Sequence, residues 1–383
     1  MLIIRKDSSL PFIKIKTPVQ ASRKTAHNKE VLNWLFELLC INIYIERSKF
    51  KEETLLGNYF MKHYVITGGA GFIGSNLVKA LLFQYPGIRI TCIDNYDPFY
   101  SIKLKQHHIK GFKNSPGFHF LNLDIAVTSI SSLCNLITEP VDAIIHLAAK
   151  AGVRPSILNP LAYQHTNIIG TQLILDFAKE KGVKQFVFAS SSSVYGVNNH
   201  FPWKEDEQLL PISPYAMTKL AGEMMGHVYS HLFGIRFIAL RFFTVHGPGQ
   251  RPDLAIHKFV KALDHGRPIS MYGDGSTSRD YTFIDDIVSG VISSIDYNKS
   301  LFEIFNLGNN YSISLKELIQ TIEEVTGKKA MIERLPEQSG DVSKTFADIS
   351  KAKELLMYNP QTKLKEGIKK FYDWFKLNED ILI

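Results

Sequence analysis

The sequence predicts an α/β fold, a doubly wound parallel sheet followed by a smaller carboxy-terminal α/β domain, and three observations carry that expectation. From residue 64 onward, short β-rich runs alternate with longer helical patterns, the rhythm of repeated βαβ units. The first run opens into glycines 68, 71 and 74, spaced G-x-x-G-x-x-G, ahead of an apolar helical stretch. After Phe243 the alternation gives way to Gly247-Pro248-Gly249-Gln250-Arg251-Pro252, a loop signal, and then to shorter mixed elements.

The strands expected in order are Tyr64 to Thr67, Ile88 to Ile93, Phe118 to Asn122, Ala143 to Leu147, Gln185 to Ser190 and Arg236 to Phe242. Each is a short run rich in β-branched or aromatic residues and closed by glycine, asparagine, aspartate or serine. Helical patterns fill the gaps at Ile73 to Phe83, Ile130 to Leu136, Ala162 to Lys181 and Pro214 to Phe233, where apolar residues recur at three and four. The expected division is 61–243 for a Rossmann nucleotide domain and 244–383 mainly for a substrate domain, some of whose segments return to the sheet. Met61-Lys62-His63 directly precedes the first strand, so Met61 reads as a candidate start and residues 1–60 as an extension to the enzyme.

Bulk properties narrow the function classes. Of the formal net charge of +7, residues 1–60 hold ten Lys and Arg against six Asp and Glu. The remaining body is nearly balanced, which argues against a nucleic-acid partner. Three cysteines, Cys40, Cys92 and Cys134, are widely spaced and suggest neither a disulfide framework nor a metal site, so a reducing, cytoplasmic setting is expected. The apolar segment Val31 to Ile45 carries Asn33, Glu37 and Asn42 and falls short of the roughly 20 residues of a bilayer span. It reads as an amphipathic helix rather than a stable membrane anchor.

The glycine turn is placed to let backbone N–H groups meet a pyrophosphate at a helix amino terminus. Gly68, Gly71, Phe72, Ile73 and Gly74 form that element, and Asp94 ends the second strand 26 residues after Gly68. A carboxylate there binds the two ribose hydroxyls of NAD and repels the extra phosphate of NADP, and Asn95 supplies no basic group for it. Asp124-Ile125 follow the third strand toward an adenine, with a helix cap as the alternative for Asp124. His146, in this reading a hydrogen-bonded strand-end residue, precedes Leu147-Ala148-Ala149, small enough for a cofactor to pass. Asn167 either supports that cofactor or caps a turn.

The chemistry is centred on Ser190-Ser191-Ser192-Ser193 and on Tyr215 and Lys219. Four residues apart on a helix, the phenol and the ammonium share a face, where the ammonium is expected to lower the phenol from its usual value near about 10. No carboxylate stands among the serines, so this cluster exchanges hydrogen bonds but does not readily shuttle protons at carbon.

Taken together, TGGAGFIG, HLAAKAGVRPS, SSSSVYG, SPYAMTK, RFFTVHGPGQRPD, YGDGSTSRDYTFIDDIV, NLGN and GDVSKTFADISKA resemble the extended short-chain dehydrogenase/reductase family of nucleotide-sugar enzymes over about residues 61–373. Within it the combination is most similar to the UDP-glucuronate 4-epimerases. That resemblance implies tightly held NAD, a UDP-sugar substrate, surface-polysaccharide synthesis and a homodimer built from helices near 166–181 and 214–233. It also implies Ser191, Tyr215 and Lys219 as the catalytic set, and Ser190 and Phe243 at the cofactor. Arg251 resembles a substrate-binding arginine, Arg279 a diphosphate-gripping one, and Asp341 the acid that binds the uridine ribose. The bland alternatives are an Arg279 paired with Asp280 or Asp285 and a turn aspartate at 341. Gln338 departs from the second diphosphate arginine of some relatives, and Lys150 and Arg154 either contact the sugar acid or cap their loop.

Ser192, Ser193 and Thr244 are candidate donors to the substrate carboxylate. A 4-keto glucuronate carries its carboxylate β to the ketone, so carbon dioxide is lost when that bond aligns with the carbonyl π system, and donors must hold it out of alignment. For Ser192 and Ser193 the alternative is a polar strand end bonded to its own backbone. Three further readings compete. Epimerisation of UDP-glucose or UDP-N-acetylglucosamine is the first, with Thr244 against it. A 4,6-dehydratase or decarboxylase lacks its acid after Ser191, and a non-catalytic NAD-binding regulator has no need of Tyr215 with Lys219.

Overall fold

The computed structural model describes residues 62–336 and 342–382. The expected helix at Val31 to Ile45, and the residues Cys40, Gln338 and Asp341, lie outside them. Seven strands form one parallel sheet: β1 (His63–Thr67), β2 (Arg89–Ile93), β3 (Phe118–Leu121), β4 (Ala143–His146), β5 (Gln185–Ser191), β6 (Arg236–Phe242) and, from late in the chain, β10 (Phe302–Leu307). Their spatial order is β10-β6-β5-β4-β1-β2-β3. The order reverses between β1 and β4, and the crevice beyond the carboxyl ends of these two strands is where this architecture binds ligands. Sheets of this kind are buried on both faces, and every position of β1, β4 and β5 is buried. Two smaller sheets, from β7 (Thr244–His246), β9 (Ser278–Phe283) and β11 (Ser312–Ser314), and from β8 (Ile269–Tyr272) and β12 (Ile332–Leu335), carry the rest.

Helices α1 (Phe72–Gln84), α2 (Ile102–Lys110), α3 (Ile130–Leu136) and α4 (Val153–Leu158) follow the first four strands. The stretch expected as one helix from Ala162 to Lys181 is α5 (Pro160–Gln164), a π-helical turn (His165–Ile169) and α6 (Gly170–Glu180). Apolar periodicity does not register such a widened turn, which is set by what the turn must reach. α2 and α4 were not expected. IKLKQHHIK presents only three buried positions, Leu104, Lys105 and Ile109, so its apolar stripe is too thin to read.

α7 (Pro214–Phe233) coincides with its expected span. Ser213 caps it by accepting from the Ala216 N–H, Pro214 occupies the first turn, and Gly234 ends it in the left-handed conformation. Its packing on β5 depends on Gly222, where a Cβ would run into the Phe188 ring. That close approach sets the depth at which Tyr215 and Lys219 enter the crevice.

Candidate active site

A cavity of about 600 Å³ opens along the carboxyl ends of the central strands. It brings together Gly68, Gly71, Phe72, Ile73, Gly74, Asp94, Asn95, Asp124, Ile125, Leu147, Ala148 and Ala149 at one end. Ser190 through Ser193, Tyr215, Lys219, Phe243, Thr244 and Arg251 line the same cavity further along. Asn167, Arg154 and Arg279 do not line it.

At the first end, Gly68 adopts φ +74° and donates its N–H to the Ile93 carbonyl at 2.7 Å. A Cβ there would lie 2.7 Å from the Ala148 nitrogen, so only glycine lets the turn pass the end of β4. Asp94 is 8% exposed. Its carboxylate accepts from Ala70 N–H at 3.1 Å and Tyr96 N–H at 2.9 Å. Burial raises its pKa, opposed by the Lys105 charge and these N–H groups. The glycine turn and the acid that follows β2 are therefore one hydrogen-bonded unit. Asn95 donates to Asp124 at 3.0 Å, and Asp124 accepts from Ala126 N–H at 2.8 Å, fixing the far rim.

These residues fit a dinucleotide. The turn is free of side chains where a Cβ would fill it, the acid sits at the end of β2, and the wall at 147–149 is small. Asp97 and Lys105, which sequence reasoning did not single out, complete this end together with Lys150, which it did. Lys150 Nζ reaches Asp97 at 2.6 Å, and Lys105 Nζ donates to the Asp97 carbonyl at 2.8 Å. Their spacing of 53 and 8 residues offers no local signal. Asn167 accepts from Lys150 N–H at 2.8 Å and donates to the Lys150 carbonyl at 2.9 Å and to Thr218 at 3.0 Å. Its amide is thus spent on the 150 loop, behind the cavity wall, rather than on a ligand. His146 bonds Thr67 at 2.7 Å and Thr171 at 3.0 Å, and burial holds it neutral with a pKa of about 3, as a strand-end residue.

At the other end, β5 delivers Ser190 and Ser191 and turns through a 3₁₀ segment at Ser192–Tyr195. Ser191 donates to Ser193 Oγ at 3.1 Å and accepts from Ser193 N–H at 3.2 Å. Tyr215 and Lys219 share a face of α7, but the ammonium does not act on the phenol as expected. Lys219 Nζ donates to the Ala189 carbonyl at 2.6 Å. The phenol stands above its ordinary value through burial, against the lowering influence of the Ser191 hydroxyl and the Arg251 charge. Burial also drops the Lys219 ammonium to about 7, with Glu223 opposing. The physical reason is distance along the strand: the nearest strong acceptor for Lys219 is a backbone carbonyl, which the helix spacing alone does not reveal.

Arg251 forms a two-pronged pair with Asp253 at 3.0 and 2.9 Å and lies over the Phe99 ring. Arg279 donates to the Ser278 carbonyl at 2.8 Å; the Asp280 carboxylate instead accepts from Asn309 and Ala347 N–H groups. Arg154 stacks over Tyr272 at 4.9 Å. Among the described residues, no group of three or more His, Cys, Asp or Glu is placed to hold a metal ion, and no helix is long and apolar enough to cross a membrane.

A model of the GDP-mannose 4,6 dehydratase family matches residues 65–371. The chain belongs to that family. A UDP-glucuronate 4-epimerase of Thermodesulfobacterium geofontis is 41% identical over 326 residues, covering 84% of this chain and 98% of the relative. Among solved structures, UDP-glucuronic acid 4-epimerase from Bacillus cereus, in complex with UDP-glucuronic acid and NAD, superposes with a TM-score of 0.77 at 37% identity. The match covers 82% of this chain and 99% of that one. UDP-glucose 4-epimerase from Thermotoga maritima, with UDP-glucose, gives a TM-score of 0.76 at 29% identity over 83% of this chain and 99% of that one.

Proposed function

We propose that the protein is an NAD-dependent 4-epimerase of nucleotide sugars that interconverts UDP-glucuronate and UDP-galacturonate. The observation that carries this reading is the single cavity shared by the Gly68–Asp94 unit and the Ser191–Tyr215–Lys219 set. Gly68, Gly71, Gly74, Asp94, Lys219 and the wall at 147–149 would hold NAD. When bound, it supplies a reversible two-electron acceptor for carbon 4 of the sugar. Tyr215 takes the proton of the 4-hydroxyl and returns it after the keto sugar has presented its other face, with Ser191 bridging the 4-oxygen and the phenol. No net redox change results.

Ser192, Ser193 and Thr244 face the same cavity and restrain the substrate carboxylate out of alignment with the ketone, which suppresses loss of carbon dioxide. Arg279 and Asp341 are assigned to the diphosphate and the uridine ribose. One observation favours an uncharged hexose as substrate: the Arg251 guanidinium already faces Asp253, so it offers less to a carboxylate. A homodimer in the cytoplasm completes the reading. Met217, Met224, Val228 and Leu232 form an exposed apolar stripe along α7, 37% to 62% accessible, beside Ile169, a face suited to a second copy.

Incubating the purified protein with UDP-glucuronate, UDP-glucose and UDP-N-acetylglucosamine, without added NAD, and following products by NMR tests the proposal. UDP-galacturonate is expected. Release of carbon dioxide with UDP-xylose, or turnover of the neutral sugars alone, overturns the assignment.

A further inference from the structure

Beneath the serine run lies a charged pair that the reaction described above does not use. Glu223 on α7 and Arg241 on β6 are buried, with side chains 0% and 1% exposed. Arg241 Nε donates to Glu223 Oε1 at 3.0 Å and its NH2 group to Oε2 at 2.8 Å. Glu223 Oε1 also accepts from the Ser190 hydroxyl at 2.5 Å. The other guanidinium nitrogen donates to the Tyr195 hydroxyl at 2.9 Å and to the Glu205 carbonyl at 3.0 Å, and Tyr195 donates onward to Asn306 on β10 at 2.8 Å. Replacing such a pair by apolar residues is often neutral or better for stability, so its presence here is not explained by folding energy alone.

Its placement supplies a reason. Lys219 and Glu223 are one helical turn apart, and both reach the same end of β5: Lys219 through the Ala189 carbonyl, Glu223 through the Ser190 hydroxyl. The two tethers set the register of the strand end that presents Ser191. The groups facing Lys219 are few. From α7 come Tyr215 and Glu223, from β5 the Phe188 ring at 5.0 Å and the Ala189 carbonyl, and from β4 the neutral His146. Arg241 on β6 stands behind Glu223. Among the described residues, Glu223 is thus the one carboxylate acting on that ammonium, whose charge burial otherwise disfavours.

We propose that Glu223, tied to Arg241, is a positioning residue that keeps the Lys219 ammonium charged and the Ser190–Ser191 strand end in register. This rests on the epimerase reading, and parent activity in the same assay separates the two: an inactive parent defeats that reading, whereas the comparison below defeats only this one. The test is the pH dependence of kcat for the double variant Glu223→Gln with Arg241→Met, which removes both buried charges together and keeps an acceptor for Ser190. We expect the alkaline limb of kcat to move down by about one pH unit and kcat near neutrality to fall about tenfold with KM within about twofold. A superimposable pH profile overturns the proposal. Should that variant not fold, Glu223→Asp keeps both charges but shortens the tether by one methylene. It is expected to lower kcat about tenfold with the alkaline limb unmoved, and kcat within about twofold of the parent overturns the proposal.

Discussion

Replacing Gly68 by alanine tests whether the cofactor end is built as one strained unit. The residue sits at φ +74°, a conformation that costs an L-residue about 1–2 kcal/mol. Its new Cβ would lie 2.7 Å from Ala148 N, 2.8 Å from Ala148 Cα and 2.9 Å from the Leu147 carbonyl carbon. All three are backbone atoms at the end of β4, which cannot rotate away as a side chain would. Overpacking of that kind adds about 1–3 kcal/mol, so the variant should lose about 2–5 kcal/mol of stability even with no cofactor present. Gly71→Ala is the control. Gly71 has φ −73° and its Cβ would meet only the Gly68 carbonyl oxygen, at 3.1 Å, so the stability cost stays under about 1 kcal/mol while a pyrophosphate would lose its close approach. Denaturant melts of protein stripped of nucleotide, together with NAD content of the protein as isolated, separate the two effects. A Gly68→Ala protein that melts like the parent, or a Gly71→Ala protein that is the less stable of the pair, would refute the reasoning.

Tyr215→Phe should abolish turnover, by more than about 100-fold, while NAD stays bound; activity within about tenfold would remove Tyr215 from its role. Ser192→Ala with Ser193→Ala should raise carbon dioxide release from UDP-glucuronate relative to epimerisation, and an unchanged product ratio would place the carboxylate elsewhere. Stability should decline on acidification. His146 and His246 are held near about 3, and His108 and His257 near about 4, by burial. Each is neutral when folded, so the unfolded chain binds the extra proton, and stability present above about pH 6.5 is lost as pH falls toward those values. Asp280, raised to about 6 by burial, acts in the opposite sense, as do Asp94, Glu205 and Asp285, which burial also raises. The four histidines, whose ordinary values near about 6.5 lie inside the window from about pH 7 to pH 5, are expected to set the sign there. Denaturation midpoints that rise between about pH 7 and pH 5 would contradict this balance.

The βαβ rhythm, the glycine turn and the spacing of Tyr215 and Lys219 were legible because each is local. A strand, a tight turn or one helical face is specified by residues a few positions apart, and the observed strands lie within a residue or so of the expected ones. The weakly patterned α2 and the π turn at His165–Ile169 were not legible, since one has a thin apolar stripe and the other is widened without changing composition. Among site residues, Asn167 is expected either to support the cofactor or to cap a turn, and the structure shows its amide bonded to the Lys150 backbone and to Thr218. Its amide holds the Lys150 loop, a contact that depends on where β4 and α6 bring their ends.

By itself, the sequence determined the class of fold, the acid that follows β2 and the presence of a phenol, an ammonium and a hydroxyl run on successive elements. Only the tertiary structure decided which of these meet, and with what charge. Lys219 turns to the Ala189 carbonyl, Glu223 and Arg241 pair beneath the serines across 18 residues of chain, and Lys150 spans the cleft to Asp97. Hydrogen bonds and ion pairs reach only about 3 Å, so their partners depend on how the strands are ordered side by side, and β5 lies between β4 and β6 for reasons of packing that no single stretch of the chain contains.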